Sequence, residues 1–343
     1  MSARTKWGTV LLTVAIAVLA GCAAEPLPVP NFAVESLTPV LTEAQTLAIL
    51  NDVTEVLDNA SAQRDPALLG TRLEGPALEV RTSQLKVAAI RDDNDLITVI
   101  PDTFQQLIVP ISDEWPRTLW AITTVTEQLQ PPRLLALEQA GPQDPYRLWG
   151  WVQLVAGVTM PAFADPRVGS EEVAADDTSL KVTPANAVAQ YADLLVNRQN
   201  SPYVSNFQPL ADDPFRAFLA TWVDAQETAL SGERVEGTYY FTATPSGPIR
   251  AIRSADGGAM VMAEIVTAER LEAMAGAILT PQTMTAQALL VGQEFNNILT
   301  AEYTDMIALY IPPAGSDGVI TLLGYSHIQT GATVGEPTEP PAD

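Results

Sequence analysis

Residues 249–265, IRAIRSADGGAMVMAEI, place two apolar segments on either side of an Asp-Gly-Gly turn at 256–258. Asp-Gly between apolar runs is a strong hairpin signal, because glycine accepts the positive φ that tight turns need. Further apolar runs at 303–311 and 319–330 flank a stretch rich in proline and glycine and predict a closing hairpin. An antiparallel sheet is therefore expected in this half of the chain.

Helix signals precede the strands in both halves of the chain. Thr42 with Gln45 three residues later is a capping box, and Thr183 followed by Pro184 is a second helix start. Apolar residues recur at helical spacing after each of these starts. A further helical segment follows in each half, near 68–86 with a break at 75–76, and at 214–230.

Strand-like runs follow the helices. In the first half they lie at 96–100, 118–125, 134–138 and 148–155, and in the second half a run at 238–242 precedes the hairpins. Grouped helices followed by grouped strands favour an α+β fold over a doubly wound α/β fold. We therefore predict an α+β fold with two similar halves, each with N-terminal helices packed on a mostly antiparallel, curved sheet.

The N-terminus has the composition of a secretory signal. Arg4 and Lys6 precede an apolar run at 7–20 that is too short for a transmembrane helix, which needs about 20 residues. The tetrapeptide Leu-Ala-Gly-Cys at 19–22 ends this run and contains the single cysteine of the chain. A tether with prolines at 26, 28 and 30 follows, and such a sequence forms an extended spacer.

These features predict six segments. They are a lipoprotein signal peptide (1–21), a Pro-rich tether (22–40), a first α+β domain (41–164), an acidic linker (165–180), a second α+β domain (181–333) and a disordered tail (334–343).

The 19–22 tetrapeptide resembles the lipobox of bacterial lipoproteins. The resemblance implies cleavage between Gly21 and Cys22 and attachment of diacylglycerol to the Cys22 thiol. It also implies a cell-membrane protein, lipid-anchored on the extracytoplasmic face. The whole chain is similar to an uncharacterised family of lipoproteins from high-GC Gram-positive bacteria. The element order of each half resembles nuclear-transport-factor-2-like domains, which implies a cone-like body with a pocket.

Composition excludes several functional classes. The 343 residues include 18 basic and 41 acidic side chains, a formal net charge of −23, which argues against nucleic acid as a partner. One histidine, His327, and no cysteine after Cys22 exclude zinc sites built from these residues and Cys–His catalysis. No phosphate-binding glycine motif is present, so neither a metal nor another cofactor is expected. His327 is interpreted as an ordinary strand residue.

Few side chains are candidates for chemistry. Ser83 and Lys86 have the Ser-x-x-Lys spacing of penicillin-recognising enzymes, but the accompanying motifs are missing, so we assign them to a helix surface. Glu138 and Glu264 lie in apolar strand segments, where a carboxylate either faces water or is buried in a pocket as a general base. Tryptophans 149 and 151 share one strand face and either line a ligand groove or pack in the core.

The sequence leaves two functional hypotheses. The first is a non-catalytic, membrane-anchored lipoprotein that binds an envelope protein or a cell-wall component. The alternative is a small-molecule-binding or enzymatic protein whose cone-like pocket contains Glu138 or Glu264. No catalytic residue is assigned by the first hypothesis, and Cys22 is the lipid-attachment residue in both.

Overall fold

The computed structural model describes residues 38–125, 130–232 and 236–338, so the signal peptide, Cys22 and most of the tether lie outside the described residues. The helices are α1 (Glu43–Gln63), α2 (Gly75–Arg91), α3 (Pro184–Asn197), α4 (Pro214–Ala229) and α5 (Met284–Leu289). The strands are β1 (Phe104–Ile108), β2 (Pro110–Ile111), β3 (Arg117–Thr123), β4 (Arg133–Gln139), β5 (Arg147–Leu154), β6 (Ser170–Glu171), β7 (Gly237–Arg253), β8 (Ala259–Ala273), β9 (Ile298–Ile311) and β10 (Thr321–Val334).

Eight strands form one curled sheet in the order β1-β3-β4-β5-β10-β9-β8-β7, and every neighbouring pair is antiparallel. The sheet is curved into a half-barrel, which confirms the predicted α+β class. A short parallel pair, β2 with β6, lies apart from it. The segments expected as a first and a second domain contribute four strands each to this sheet, and Leu37–Asp343 forms one compact unit.

Two hydrophobic cores lie on opposite faces of the central strands. Met260 and Met262 of β8 pack into the core that includes α1 and α2, whereas Val261 and Ala263 pack into the core that includes α3 and α4. Because successive side chains of a strand point to opposite faces, β8 is buried on both sides. This double burial explains its nearly continuous apolar sequence.

The helices begin where the sequence predicts. Thr42 and Gln45 form the capping box of α1, and the Thr183 hydroxyl accepts from the backbone N–H of Asn186 at the start of α3. The expected break at 75–76 is the start of α2, after a short 3-10 helix, Pro66–Thr71. Gly75 has a φ of +53°, and a Cβ there would lie 2.9 Å from the Trp149 ring, so this start requires glycine.

Three segments differ from expectation. Residues 96–100 form no strand, because the backbone of Thr98 bonds the side chains of Arg81 and Gln84 on α2 instead of another strand. The 238–242 and 249–252 runs belong to one long strand, β7, with a register shift between Ser246 and Arg250. The short helix α5 follows β8 in a region for which the sequence predicted no helix.

The acidic linker and the start of the tail are part of the fold. Within 165–180, β6 pairs with β2 and the Val173 N–H donates to the Ala251 carbonyl at 3.0 Å. Beyond β10, the Gly335 N–H donates to the Ile298 carbonyl, and Thr338 hydrogen bonds to Asn297. Residues 335–338 therefore pack on β9 where disorder was expected, and 339–343 lie outside the described residues.

Candidate functional site

The first predicted carboxylate, Glu138, forms a buried ion pair. Its partner is Arg250 of β7, whose guanidinium lies 5.2 Å from the centre of the Trp149 ring. Burial raises the pKa of Glu138, and the charge of Arg250 opposes this rise. Because β4 and β7 belong to different halves of the chain, this pair links the two halves.

Further charges surround Arg250. Glu172 accepts a hydrogen bond of 2.6 Å from the backbone N–H of Thr118, and Glu74 lies 3.6 Å from the Arg147 guanidinium. Burial raises the pKa of both carboxyl groups, and Arg250 opposes the rise in each. Arg250 is therefore the shared counter-charge of three carboxylates, an arrangement that suits a structural cluster.

The second predicted carboxylate, Glu264 of β8, lies against different partners. It accepts a hydrogen bond from Ser246 of β7, and burial together with the charge of Glu79 on α2 raises its pKa. The structure therefore does not pair Glu264 with Glu138, and neither residue lines the two cavities described next.

The aromatic residues of the first half are mostly in the core. Trp120 and Trp151 have no exposed surface, and Trp149 and Tyr146 are also buried. Trp115 is half-exposed and stacks under the Arg117 guanidinium at 3.8 Å. Of the two interpretations of residues 149 and 151, the structure supports core packing.

A cleft opens where β5 and β10 diverge. These strands pair at only two positions, Gly324 with Leu154 and Tyr325 with Gln153, whereas β10 pairs with β9 along most of its length. A Cβ at Gly324 would lie 2.7 Å from the Gln153 carbonyl oxygen, so the strands meet only because this residue is glycine. After Tyr325, β10 continues without β5 as a neighbour.

Two adjoining cavities fill this cleft, with volumes of about 250 and 460 Å³. They share three lining residues, Phe218 of α4 and His327 and Ile328 of β10. The smaller cavity extends towards Ser83 of α2, and the larger towards Arg133 of β4. Both halves of the chain therefore contribute walls to one cleft, and its size is typical of small-molecule sites.

His327 lies where the two cavities meet and is held by a buried carboxylate. Its Nδ1 is 2.6 Å from Oδ1 of Asp305, the residue opposite it on β9. The Thr267 hydroxyl donates to the other carboxylate oxygen of Asp305 at 2.7 Å, and neither Asp305 nor Thr267 has exposed surface. Because an ionised carboxylate only accepts, we assign the Nδ1 proton to His327 from this contact.

Aromatic rings fix the imidazole plane. Tyr303 stacks on His327 with ring centroids 4.3 Å apart and an interplanar angle of 12°. Phe215 and Phe218 of α4 contact the imidazole at 5.5 and 5.7 Å. With Nδ1 bound to Asp305, the ring has little freedom to rotate.

A second buried carboxylate, Glu269 of β8, binds two aromatic residues next to His327, Trp222 and Tyr303. It accepts a hydrogen bond of 2.9 Å from Nε1 of Trp222, a residue that lines the smaller cavity. Burial and the neighbouring Glu269 raise the pKa of the Tyr303 hydroxyl. Tyr303 is therefore a neutral hydrogen-bond donor to Glu269 at ordinary pH.

The position of α4 is set by its first turn. Asp213 caps the helix by accepting from the Arg216 N–H at 3.0 Å, and its carboxylate also pairs with the Arg216 guanidinium at 2.7 Å. The Tyr191 hydroxyl of α3 donates to the same carboxylate at 3.1 Å. These buried bonds fix the helix that supplies the phenylalanine wall.

The arrangement provides a histidine ready to accept a proton or a hydrogen bond. A carboxylate that binds Nδ1–H orients the imidazole and leaves Nε2 as the acceptor. Ser83 lines the smaller cavity with His327, but its hydroxyl donates to the carbonyls of Gln329 and Thr330 at 3.3 and 3.5 Å. Lys86 is exposed, so the Ser-x-x-Lys spacing builds no catalytic pair.

Sequence reasoning missed this site. The sequence around His327 offers no nucleophile elbow and predicts an ordinary strand residue, and its partners, Asp305 and Thr267, are distant in the sequence. One signal was available, since Asp305 interrupts the apolar run of β9 and acids inside buried strands need a partner. Of the two alternatives for Glu138 and Glu264, facing water or being buried, the structure shows burial, but neither lines the cleft, where Asp305 binds His327 and Glu269 binds Trp222.

The half-barrel sheet and its inter-half cleft define an α+β protein with one prominent candidate ligand site. Residues 37–334 match the family described as Domain of unknown function (DUF8094), and the chain belongs to this family. No curated protein matches the chain, and no solved structure matches it.

Two features are absent from the described ranges. None of the helices within 38–125, 130–232 and 236–338 combines the length and apolarity that crossing a membrane requires. In the same ranges, no three histidine, cysteine, aspartate or glutamate side chains are grouped as metal ligands.

Proposed function

We propose that this chain is a membrane-tethered lipoprotein whose folded body binds a small amphipathic ligand in the cleft beside His327. The observation that carries the proposal is the cleft itself, in which an oriented imidazole meets apolar walls contributed by both halves. Convergence of a few polar groups within a largely apolar pocket is typical of small-molecule sites. This favours the small-molecule alternative over a scaffold that binds through a flat surface.

The ligand contacts follow from the lining. The apolar part of a ligand packs on Phe218 and Ile328, which face both cavities. Nε2 of His327 accepts a hydrogen bond from the polar part, since Nδ1 is used by Asp305. Phe218 is 46% exposed although it is aromatic, so covering it with a ligand is favourable.

Binding of a neutral fluorescent naphthylamine, N-phenyl-1-naphthylamine, tests the cleft. The full chain carrying Cys22→Ala is used, so that no acyl group competes for the apolar walls. Loss of the aromatic wall in Phe218→Ala is expected to weaken binding about tenfold, because burial of a large side chain contributes about 1.5–3 kcal/mol. Val291→Ala is the control, since Val291 is 68% exposed and lines neither cavity. Equal affinity in both variants, or no binding at all, would refute the cleft proposal.

The tether is the second part of the proposal, and it rests on the lipobox-like tetrapeptide at 19–22. Two acyl chains on one cysteine are enough for stable anchoring. Cell fractionation with a salt wash compares the wild type with Cys22→Ala, and the variant is expected in the soluble extracytoplasmic fraction. Retention of the variant in the membrane would contradict anchoring through Cys22.

The Asp305–His327 pair favours general-base catalysis as a second candidate function. An imidazole held at Nδ1 by a buried carboxylate activates water or a hydroxyl group through Nε2. A panel of small esters tests this, with His327→Gln as the variant. Turnover that disappears in the variant while naphthylamine binding persists would identify an enzyme.

A further inference from the structure

The larger cavity is bordered by an arginine that has no acidic partner among the described residues. Arg133, the first residue of β4, lines this cavity, and its Nε donates to the Val99 carbonyl at 2.7 Å. Burial lowers the pKa of Arg133, and no carboxylate among the described residues forms an ion pair with it. A half-buried guanidinium without a counter-charge is unusual.

The lack of a carboxylate partner for Arg133 within the described ranges contrasts with the acidic composition of the chain. The sequence contains 41 acidic and 18 basic residues, and many of its other arginines pair with a carboxylate. Although acidic residues outnumber basic ones, none of the described carboxylates pairs with Arg133. A site that keeps a cation free of internal carboxylates is suited to an external anion.

A second arginine reinforces the positive charge. Arg81 of α2 is 2% exposed and donates from Nη2 to the carbonyl of Thr98, a residue that lines the larger cavity. Burial and the neighbouring Arg133 lower the pKa of Arg81 to about 10, and Asp58 opposes this shift weakly. Arg81 remains charged at neutral pH, so two cations lie behind one wall of the cavity.

The remaining walls restrict the kind of anion. Leu154, Val155, Phe218 and Ile328 are apolar, and Arg133 is the single arginine or lysine in the lining. The polar, uncharged part of the lining comprises Thr98, Gln153, Tyr325 and Ser326. Nε donates to Val99, and the two Nη groups make no hydrogen bond to the described residues, so they are available to an incoming acceptor. A carboxylate accepts two parallel N–H bonds from an arginine, and a single negative charge matches a single guanidinium.

We infer that the cleft binds an apolar carboxylate, with the carboxylate on Arg133 and the apolar chain on Phe218 and Ile328. This inference rests on the proposed function, because it names the ligand class of the same cleft. His327 contributes its Nε2 to a further polar group of the ligand or to a water molecule. The net charge of −23 repels anions at long range, so short-range contacts with Arg133 determine the preference.

The test compares ligands of equal chain length, one with an anionic and one with a neutral head group. Calorimetry with the full chain carrying Cys22→Ala measures octanoate and octanamide, which have the same chain length. Octanoate is expected to bind at least tenfold more tightly. Arg133→Gln is expected to abolish this preference and to leave octanamide affinity unchanged, whereas Arg133→Lys retains part of it. Arg270→Gln, an exposed arginine of β8 outside the cleft, is expected to retain it fully.

The outcomes separate the two proposals. Equal affinity for octanoate and octanamide, with naphthylamine binding intact, would overturn the carboxylate inference and leave the cleft proposal standing. Tighter binding of octyl phosphate than of octanoate would overturn the assignment to a carboxylate in favour of a phosphate. Failure of all these compounds to bind would overturn both proposals. If Arg133→Gln does not fold, the ligand comparison on the wild-type cleft decides alone.

Discussion

His327 and Asp305 lie directly opposite each other on β10 and β9, with Nδ1 2.6 Å from Oδ1. Asp305 is completely buried, and its second oxygen is bound by Thr267. The pair is therefore both a structural element of the sheet and the device that orients the imidazole towards the cleft. Changes to either residue should affect folding and binding together, and the two effects are measurable separately.

Asp305→Asn replaces an acceptor with a group that presents an N–H to one neighbour. The Thr267 hydroxyl can rotate to accept this N–H while the amide oxygen accepts from His327, but both bonds lose the negative charge of the carboxylate. Because hydrogen bonds to charged groups contribute more than neutral ones, the change should cost about 1–3 kcal/mol over the two bonds. We expect this loss of unfolding free energy in chemical denaturation, together with weaker ligand binding. Asp317→Asn, in the exposed loop before β10, is the control and should change neither quantity. A stability of Asp305→Asn equal to that of the wild type would show that the contact carries little energy.

Gly324→Ala tests the joint between the two halves. The added Cβ would lie 2.7 Å from the Gln153 carbonyl oxygen and 2.8 Å from a Val152 methyl group, and neither can move freely. Overpacking of this kind costs about 1–3 kcal/mol. Gly331→Ala on the same strand is the matched control, because its nearest neighbour is the end of the Glu302 side chain at 3.0 Å. In thermal unfolding, the melting temperature of Gly331→Ala should be well above that of Gly324→Ala. The reverse order would contradict the role of Gly324.

Glu264→Gln tests the pH dependence of stability. Burial and Glu79 raise the folded-state pKa of Glu264, so the ionised form disfavours folding. Its contribution to stability is complete below the unfolded pKa of about 4.3 and is lost as the pH rises through the folded-state pKa.

Glutamine removes this loss and still accepts the Ser246 hydrogen bond. The variant should therefore gain stability relative to the wild type as the pH rises from about 4.3, the unfolded-state value, through the raised folded-state pKa, and the difference should be constant above it. Urea denaturation at several pH values measures the difference, with Glu227→Gln at an exposed position of α4 as the control. A difference that does not change with pH would rule out ionisation of Glu264 as its cause.

The Glu138–Arg250 ion pair should behave as a coupled unit. Removing one partner leaves a buried charge, and we expect Glu138→Met to cost about 2 kcal/mol or more. The double variant Glu138→Met with Arg250→Met should cost less than the sum of the single changes, because no unpaired charge remains. A double-mutant cycle by denaturation provides the measurement, and strict additivity would mean that Glu74 and Glu172 already compensate Arg250.

Local patterns predicted the parts of the fold that depend on local contacts. The capping box at Thr42 and Gln45, the helix start at Thr183 and the turn at 256–258 each lie within a few residues, and the structure contains all three elements. The contacts that assemble them are distant in sequence. Nothing near Leu154 indicates that Gly324 will be its neighbour, so the shared sheet was not predictable from patterning.

The cleft was unpredictable for the same reason. The orientation of His327 is fixed by Asp305 on the neighbouring strand, by stacking on Tyr303 and by packing against α4. No periodic pattern in the sequence predicts these contacts. Glu138 and Glu264 show the converse case. Their strand positions were predictable but their burial was not, and their nearest charges, Arg250 and Glu79, place them in structural surroundings.

The order of strands has a consequence for biosynthesis. β10 is the last strand of the sheet to emerge from the ribosome, yet it lies in the middle, between β5 and β9. Until it arrives, β5 and β9 each present an unpaired edge, and unpaired edges are prone to join other chains. A nascent or truncated chain that stops before Thr321 therefore exposes the edges of β5 and β9 to pairing with other chains. Addition of β10 pairs both edges at once.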